Sequence, residues 1–152
     1  IQKEFSRIMS LKDGTKKMSK SELSDLSRIN LTDDKDQIIN KIKKAKTDPL
    51  PMPKDIKELE GRLEAQNLLG IFASLSNSTL ESSIEKFAGK NFSEFKQELS
   101  ELLVNKIMPI SEEIKKLLKD QSYLDSILLD GVEKANKIAS KKIKNIKEIV
   151  GF

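Results

Sequence analysis

The chain has 152 residues, 37% of them apolar and 34% charged, which suffices for one ordinary domain with its own core. It contains no cysteine, excluding disulfides and thiolate metal sites, and no histidine, which leaves zinc or haem without plausible ligands. The formal charge of +4 is compatible with a polyanionic partner without demanding one, because the lysine, isoleucine and asparagine richness is also what AT-rich coding produces.

Residues 1–30 carry little helical periodicity and many Ser, Lys, Asp and Gly, which suits an extended opening segment followed by a long exposed loop. The pattern changes at Asp33. Ile38, Ile39, Ile42 and Ala45 recur at helical spacing, with Asp33, Asp34 and Asp36 at the head and Lys41, Lys43, Lys44 and Lys46 at the tail, complementing the helix dipole. Pro49, Pro51 and Pro53 then forbid helical continuation and predict a surface loop. A second helix is predicted over residues 63–75, ending at Ser76-Asn77. Ser78-Thr79-Leu80-Glu81 has the spacing of a capping box and opens a short helix that Gly89 closes. Phe92, Phe95, Leu99, Leu102, Leu103 and Ile107 trace the stripe of a third, long helix with Ser93 as its cap. Pro109 is expected to kink or split it, with Ile110, Ile114, Leu117 and Leu118 continuing beyond. Residues 122–125 mark another start, followed by Leu124, Ile127, Leu128, Val132, Ala135 and Ile138. No segment sustains a period of two between hairpin turns, so the expected fold is all-α.

One segment carries chemistry. Lys17-Met18-Ser19-Lys20-Ser21 follows Arg7-Ile8-Met9-Ser10-Leu11 and the turn Asp13-Gly14, and brings two cations and several hydroxyl donors onto one loop, suited to a polyphosphate. These five residues match the KMSKS signature of class I aminoacyl-tRNA synthetases, and the surrounding string resembles the tryptophanyl branch. Further likeness runs through Arg28-Ile29-Asn30-Leu31-Thr32-Asp33-Asp34, Lys41 to Asp48, Asn67-Leu68-Leu69-Gly70-Ile71-Phe72 and Asp130-Gly131-Val132-Glu133-Lys134-Ala135-Asn136. It thus spans residues 7 to about 140. Many members continue the signature with Asp-Pro, where this chain has Glu22-Leu23.

The resemblance implies the C-terminal part of a tryptophan-activating ligase. Residues 1–31 would end a Rossmann-type catalytic domain and carry the loop, and residues 32–152 would form a bundle-like, anticodon-binding helical region. The chain lacks the His-Ile-Gly-His-like signature, a GxGxxG and a strand-helix alternation, and opens on Ile1-Gln2-Lys3 in mid-pattern, as a fragment would. The full enzyme is expected to use ATP, with Mg²⁺ held mainly by its phosphates and by water, to activate L-tryptophan and load tRNA(Trp). It is expected to be a cytoplasmic homodimer with no membrane attachment, since no signal peptide or spanning run is visible. This piece alone is expected to be inactive, and a monomer in isolation. A tyrosyl relative and a free-standing helical RNA-binding module are the alternatives.

Within that resemblance, Lys17 and Lys20 are the catalytic candidates, neutralising the departing pyrophosphate, with Ser19 and Ser21 holding phosphate oxygens. Met18 is placed with the nucleotide-binding loop chiefly as a packing anchor. The position matching Ile8 lies, in the family, against adenine through its main chain; the plainer reading is a buried β-branched residue near a sheet edge. On the last helix, Lys134, Lys137, Lys141 and Lys144 are spaced three or four apart, which suits either a solvated face or a track for tRNA phosphates. Tyr123 is a weak candidate for base stacking, while the phenylalanines at helical spacing read as core. Glu112 and Lys116 read as a surface ion pair. No residue set suggests a protein-ligated metal.

Overall fold

The computed structural model of the chain describes residues 7–151, so the opening expected at residues 1–6 lies outside the described residues. Among them there are six α-helices, a single turn of 3₁₀ helix at Asp25–Ser27 and no named strand, which makes the fold all-α. The helices are α1 (Lys35–Lys43), α2 (Ile56–Leu59), α3 (Leu63–Ser76), α4 (Leu80–Phe87), α5 (Phe92–Lys119) and α6 (Gln121–Val150). Two compact units divide the chain, Ile1–Ser111 and Glu112–Phe152.

In the first unit, α1 starts where the sequence pattern changes. Asp34 accepts from the Gln37 N–H and the Gln37 side chain returns to the Asp34 N–H, so two orphan donors are satisfied reciprocally. Asp33 does not join the helix. It is buried, as is Lys41, and Lys41 Nζ lies 2.7 Å from Asp33 Oδ2 and 2.6 Å from Asp25 Oδ2. Two residues predicted to be dipole-complementing surface charges are therefore a buried pair, because Ile38, Lys41 and Ile42 share the inward face of α1.

The proline loop is fixed at both ends. Arg62 grips Asp48 with two parallel bonds of 2.8 and 2.9 Å and donates to the Pro51 carbonyl. Met52, almost wholly buried, exchanges backbone bonds with the turn after α4, accepting from Gly89 N–H and donating to the Lys90 carbonyl. Gly89 has φ +71°, a left-handed conformation that glycine adopts without strain. The short helix α2, absent from the sequence expectation, forms because Asp55 caps the Glu58 N–H while Glu58 reaches back to Lys54 N–H.

Two predicted caps move by one or two residues. Thr79 caps α4 by accepting from the Ser82 N–H, and Ser78 is occupied with Ser76 and Ser83. Asn91 caps α5 through the Glu94 N–H, in place of Ser93. Helix α4 thus starts one residue later than Ser78 would place it, and α5 two residues earlier than Ser93 would allow. Pro109 does not split α5: the helix runs on to Lys119, and the missing N–H leaves the Asn105 carbonyl without its helical donor.

The core of this unit is a cluster that includes Leu11, Ile38, Ile42, Met52, Leu68, Leu69, Phe72, Phe87, Phe95, Leu99 and Leu103. Phe72, Phe87 and Phe95 meet edge-on or tilted, with centroids 4.8–6.1 Å apart, the arrangement that ring quadrupoles favour. Phe95, Leu99, Leu103 and Ile107 bury one stripe of α5, each adding roughly 1.5–3 kcal/mol of hydrophobic stabilisation.

The second unit contains the end of α5 and the whole of α6. Asp120 caps α6 by accepting from Tyr123 N–H, two residues before the predicted start at Ser122, and Gly151 closes it at φ +82°. No residue of α6 is buried. The ion pair on the end of α5 joins Lys116 to Glu113, 3.6 Å apart at three-residue spacing, and not to Glu112 as predicted.

Candidate functional site

The lysine loop stands on a base tied down by backbone hydrogen bonds. Residues 8–11 run antiparallel to residues 16–18: Met9 and Lys17 form an isolated bridge, Ser10 N–H donates to the Lys16 carbonyl at 2.8 Å and Met18 N–H to the Ile8 carbonyl at 3.0 Å. The other edge of the same segment is also taken. The Asn67 side chain, from α3, accepts from Met9 N–H at 2.8 Å and donates to the Met9 carbonyl at 2.9 Å, imitating a neighbouring strand. Leu11 donates to the Ser27 carbonyl and accepts from Lys46 N–H.

The turn between the two arms is made by Asp13 and Gly14. Asp13 Oδ1 accepts from the Thr15 hydroxyl at 2.6 Å and from its N–H, and these bonds hold the carboxyl below the usual carboxylate range. Gly14 is buried against the start of α3. A Cβ there would lie 2.9 Å from Leu63 Cβ and 3.0 Å from its carbonyl carbon, so no larger residue fits without displacing the turn. The Glu64 carboxyl receives a bond from Lys46 and another from the Gly14 backbone, and is held below its ordinary pKa, chiefly by Lys46, 2.8 Å away.

Above this base the loop is open. Lys17, Lys20 and Ser21 are exposed, and among the described residues neither lysine has an ion-pair partner. Ser19 shapes the exit, its hydroxyl lying 2.8 Å from the Ser21 hydroxyl and accepting weakly from Ser21 N–H. Met18 is half-buried and packs on the core cluster, the one loop side chain to do so. Ile8 is exposed, not buried, and with Met9, Gly14 and Asn67 lines a cavity of about 260 Å³. Leu23 is wholly exposed. After the loop, Arg28 donates to the carbonyls of Glu22 and Ser24 and pairs with Asp25 at 3.0 Å, so the exit from the loop is tied to the buried Lys41 through Asp25. The Lys41 bond keeps the Asp25 carboxyl below its ordinary pKa.

Residues 2–108 match the sequence model of the tRNA synthetases class I (W and Y). The chain belongs to that family. Its match ends close to the boundary between the two compact units, while individual relatives extend further. Tryptophan–tRNA ligase of Agrobacterium fabrum is 53% identical over 96% of this chain and 41% of its own length. The Caulobacter vibrioides enzyme is 49% identical over the whole chain and 44% of its own length. Among solved structures, tryptophanyl-tRNA synthetase from Campylobacter jejuni superposes with a TM-score of 0.68 at 26% identity, covering 97% of this chain and 44% of that one. The chain therefore spans less than half the length of the relatives it matches.

The second group of predicted residues is not uniform. Lys134 is engaged by Asp130, 2.6 Å away at four-residue spacing, whereas Lys137, Lys141 and Lys144 have no partner among the described residues. Asp130 stands one helical turn before Lys134, the i, i+4 spacing at which a helix surface pairs opposite charges. Tyr123 is about half exposed near the start of α6. Asn67 enters the family resemblance only within a longer string; its amide, at the head of an apolar helix face, is the signal for a structural role. Among the described residues no cluster of three carboxylates forms a metal cage.

Proposed function

We propose that the protein containing this chain is a tryptophan–tRNA ligase, and that the chain supplies its mobile lysine loop and its tRNA-binding helices. Residues 1–31 would close the catalytic domain and residues 32–152 form the helical region that receives the anticodon arm of tRNA(Trp). The names of the relatives support tryptophan as the substrate, and none of those reported is a tyrosyl enzyme or a free-standing RNA-binding module. The observation that carries the reading is the contrast within the loop: two exposed lysines without an ion-pair partner among the described residues, on a base that backbone bonds and the Asn67 amide hold on both edges.

In the reaction, an oxygen of the tryptophan carboxylate bonds to the α-phosphorus of ATP, the bond to the bridging oxygen breaks, and pyrophosphate leaves with the negative charge. Lys17 and Lys20 are placed to neutralise that charge, and the hydroxyls of Ser19 and Ser21 and the loop amides to hold phosphate oxygens. A compact ammonium on a flexible stem follows a moving phosphate better than a rigid guanidinium fork. The exposed Ile8 and its cavity fit the edge of a nucleotide base site whose remainder belongs to the rest of the enzyme. Magnesium would supply charge neutralisation when bound, held mainly by phosphate oxygens and water. Lys137, Lys141 and Lys144 are the proposed contacts to tRNA phosphates. The full enzyme acts in the cytoplasm as a homodimer.

Tryptophan-dependent exchange of labelled pyrophosphate into ATP by the full-length enzyme tests this directly. Lys20→Ala should lower the exchange rate about a hundredfold while ATP affinity changes far less, since the contact strengthens as charge leaves. Equal losses in affinity and rate would make Lys20 a plain binding residue. Absence of exchange in the unaltered enzyme would overturn the assignment.

A further inference from the structure

The chain does not leave the lysine loop freely. Lys20 and Ser21 hold the two central positions of a turn that the Glu22 N–H closes on the Ser19 carbonyl at 3.5 Å. The Glu22 carbonyl then accepts from Arg28 Nη1 at 2.8 Å, and the same nitrogen lies 3.5 Å from the Ser24 carbonyl. On the entry side, Met18 packs on the core and its N–H is bonded to the Ile8 carbonyl. Only residues 19–21 span the gap between these two fastened points, so the position of Glu22 decides where the turn can carry the Lys20 ammonium.

Arg28 can fix that point because its own plane is fixed. Its Nε donates to Asn30 Oδ1 at 3.1 Å and its Nη2 pairs with Asp25 Oδ1 at 3.0 Å, so the fork is held on both sides. Asp25 in turn offers its second oxygen to the buried Lys41, 2.6 Å away, and Asn30 Nδ2 donates to both Asp25 and Asp33. Two cations and two carboxylates thus close into a neutral group seated on α1.

Stability alone does not call for the outer pair. Lys41 and Asp33 are both buried and already neutralise one another at 2.7 Å. Asp25 is half exposed, so its pair with Arg28 adds little to folding, yet it connects the inward face of α1 to a backbone carbonyl beside the lysine turn. Leu23 is wholly exposed, and among the described residues its N–H makes no hydrogen bond, which leaves Arg28 as the tie on this stretch. Where many members of the family have proline, which stiffens an exit covalently by fixing φ, this chain has a hydrogen-bonded clamp.

We infer that Arg28 is a positioning residue for adenylate formation: held through Asp25 to Lys41, it fixes the Glu22 end of the turn and so keeps Lys20 where the charge of the leaving pyrophosphate develops. All three guanidinium nitrogens are engaged within the chain, so Arg28 acts through Lys20 and not on a phosphate. The inference rests on the ligase reading for the identity of the reaction.

The test is a double-mutant cycle in the full-length enzyme, read by tryptophan-dependent pyrophosphate exchange at varied ATP. Arg28→Gln should lower kcat about tenfold, the scale of a misplaced catalytic group, and leave the KM for ATP within about twofold. In an enzyme already carrying Lys20→Ala, the same change should cost no more than about twofold, because the group it positions is gone. Asp25→Asn, which releases the clamp from Lys41, should lower kcat in the same direction and add little to Arg28→Gln. Arg28→Lys keeps the group neutral, and with it the fold, but lacks the planar fork; it should show a smaller kcat loss with the same dependence on Lys20. Circular dichroism follows folding throughout, and if Arg28→Gln unfolds, the cycle with Arg28→Lys decides. Losses that multiply with that of Lys20→Ala, a rise in the KM for ATP that accounts for them, or unchanged exchange in the Arg28 and Asp25 variants would each overturn the inference and leave the ligase reading standing. Absence of exchange in the unaltered enzyme would overturn the ligase reading itself.

Discussion

The first half of α5 and the whole of α6 carry similar sequence patterns and meet opposite fates. In α5, Phe95, Leu99, Leu103 and Ile107 recur every fourth residue and are buried against α1, α3 and α4. In α6, Ile127, Val132, Ile138, Ile143, Ile146 and Ile149 recur at spacings of three to six residues, and every one is more than half exposed. An apolar stripe is therefore a request for a partner and not proof of one. What distinguishes the two is the company of aromatic residues: Phe72, Phe87 and Phe95 supply the large rings that fill the first unit, whereas α6 has only Tyr123.

Three changes probe that contrast, beginning with the most damaging. Phe95→Ala removes a fully buried ring from the centre of the aromatic trio, and urea unfolding of this chain should show a loss of about 3–5 kcal/mol. A loss under about 1 kcal/mol would mean that α5 is held no better than α6.

Lys41→Met asks whether the first unit also depends on its buried charges. It leaves Asp33 buried without its cation, and the loss should approach about 3 kcal/mol, at the low end for broken buried pairs because Asp25, the second partner, is half exposed. Changing Asp33 to Asn as well should recover part of it, since the stranded charge is then gone. The same urea titrations, run as a double-mutant cycle, read both effects.

Ile138→Ser should do least, shifting the unfolding midpoint of this chain by no more than about 0.5 kcal/mol, because the side chain is already 73% exposed. Repeating that substitution in the full-length protein sharpens the comparison. A larger loss there would show that the longer protein covers α6; an equally small one would leave its apolar face free.

Sequence pattern found five of the six helices and the proline loop, since apolar spacing, prolines and glycines act locally. It placed caps imperfectly, because Ser78 and Thr79, or Asn91 and Ser93, compete on near-equal terms and only the helix trajectory chooses. It let Pro109 threaten α5, although one missing hydrogen bond in a long helix is tolerated when both sides are otherwise helical. The loop motif was legible as a string. Its supports were not: Asn67 lies 58 residues from Met9, and Lys41 reads as one more lysine in a basic run until Asp33 and Asp25 fold onto it. Lys96 is equally silent in the sequence, for its ammonium reaches the Lys43 and Ala45 carbonyls only through tertiary packing.

The two-sided bonding of residues 8–11 has an architectural consequence. On one edge Ile8 and Ser10 are paired with Met18 and Lys16; on the other, Met9 is occupied by the Asn67 amide and Leu11 by Ser27 and Lys46. Every peptide group that a further strand would need at Met9 and Leu11 is already spoken for. Asn67 thus works as a selvedge, a finished border past which the weave cannot be continued, and it shields an extended segment from pairing with a stray chain. A side chain of α3 fastens that border, so the foot of the lysine loop and α3 should travel as one body whenever the loop moves.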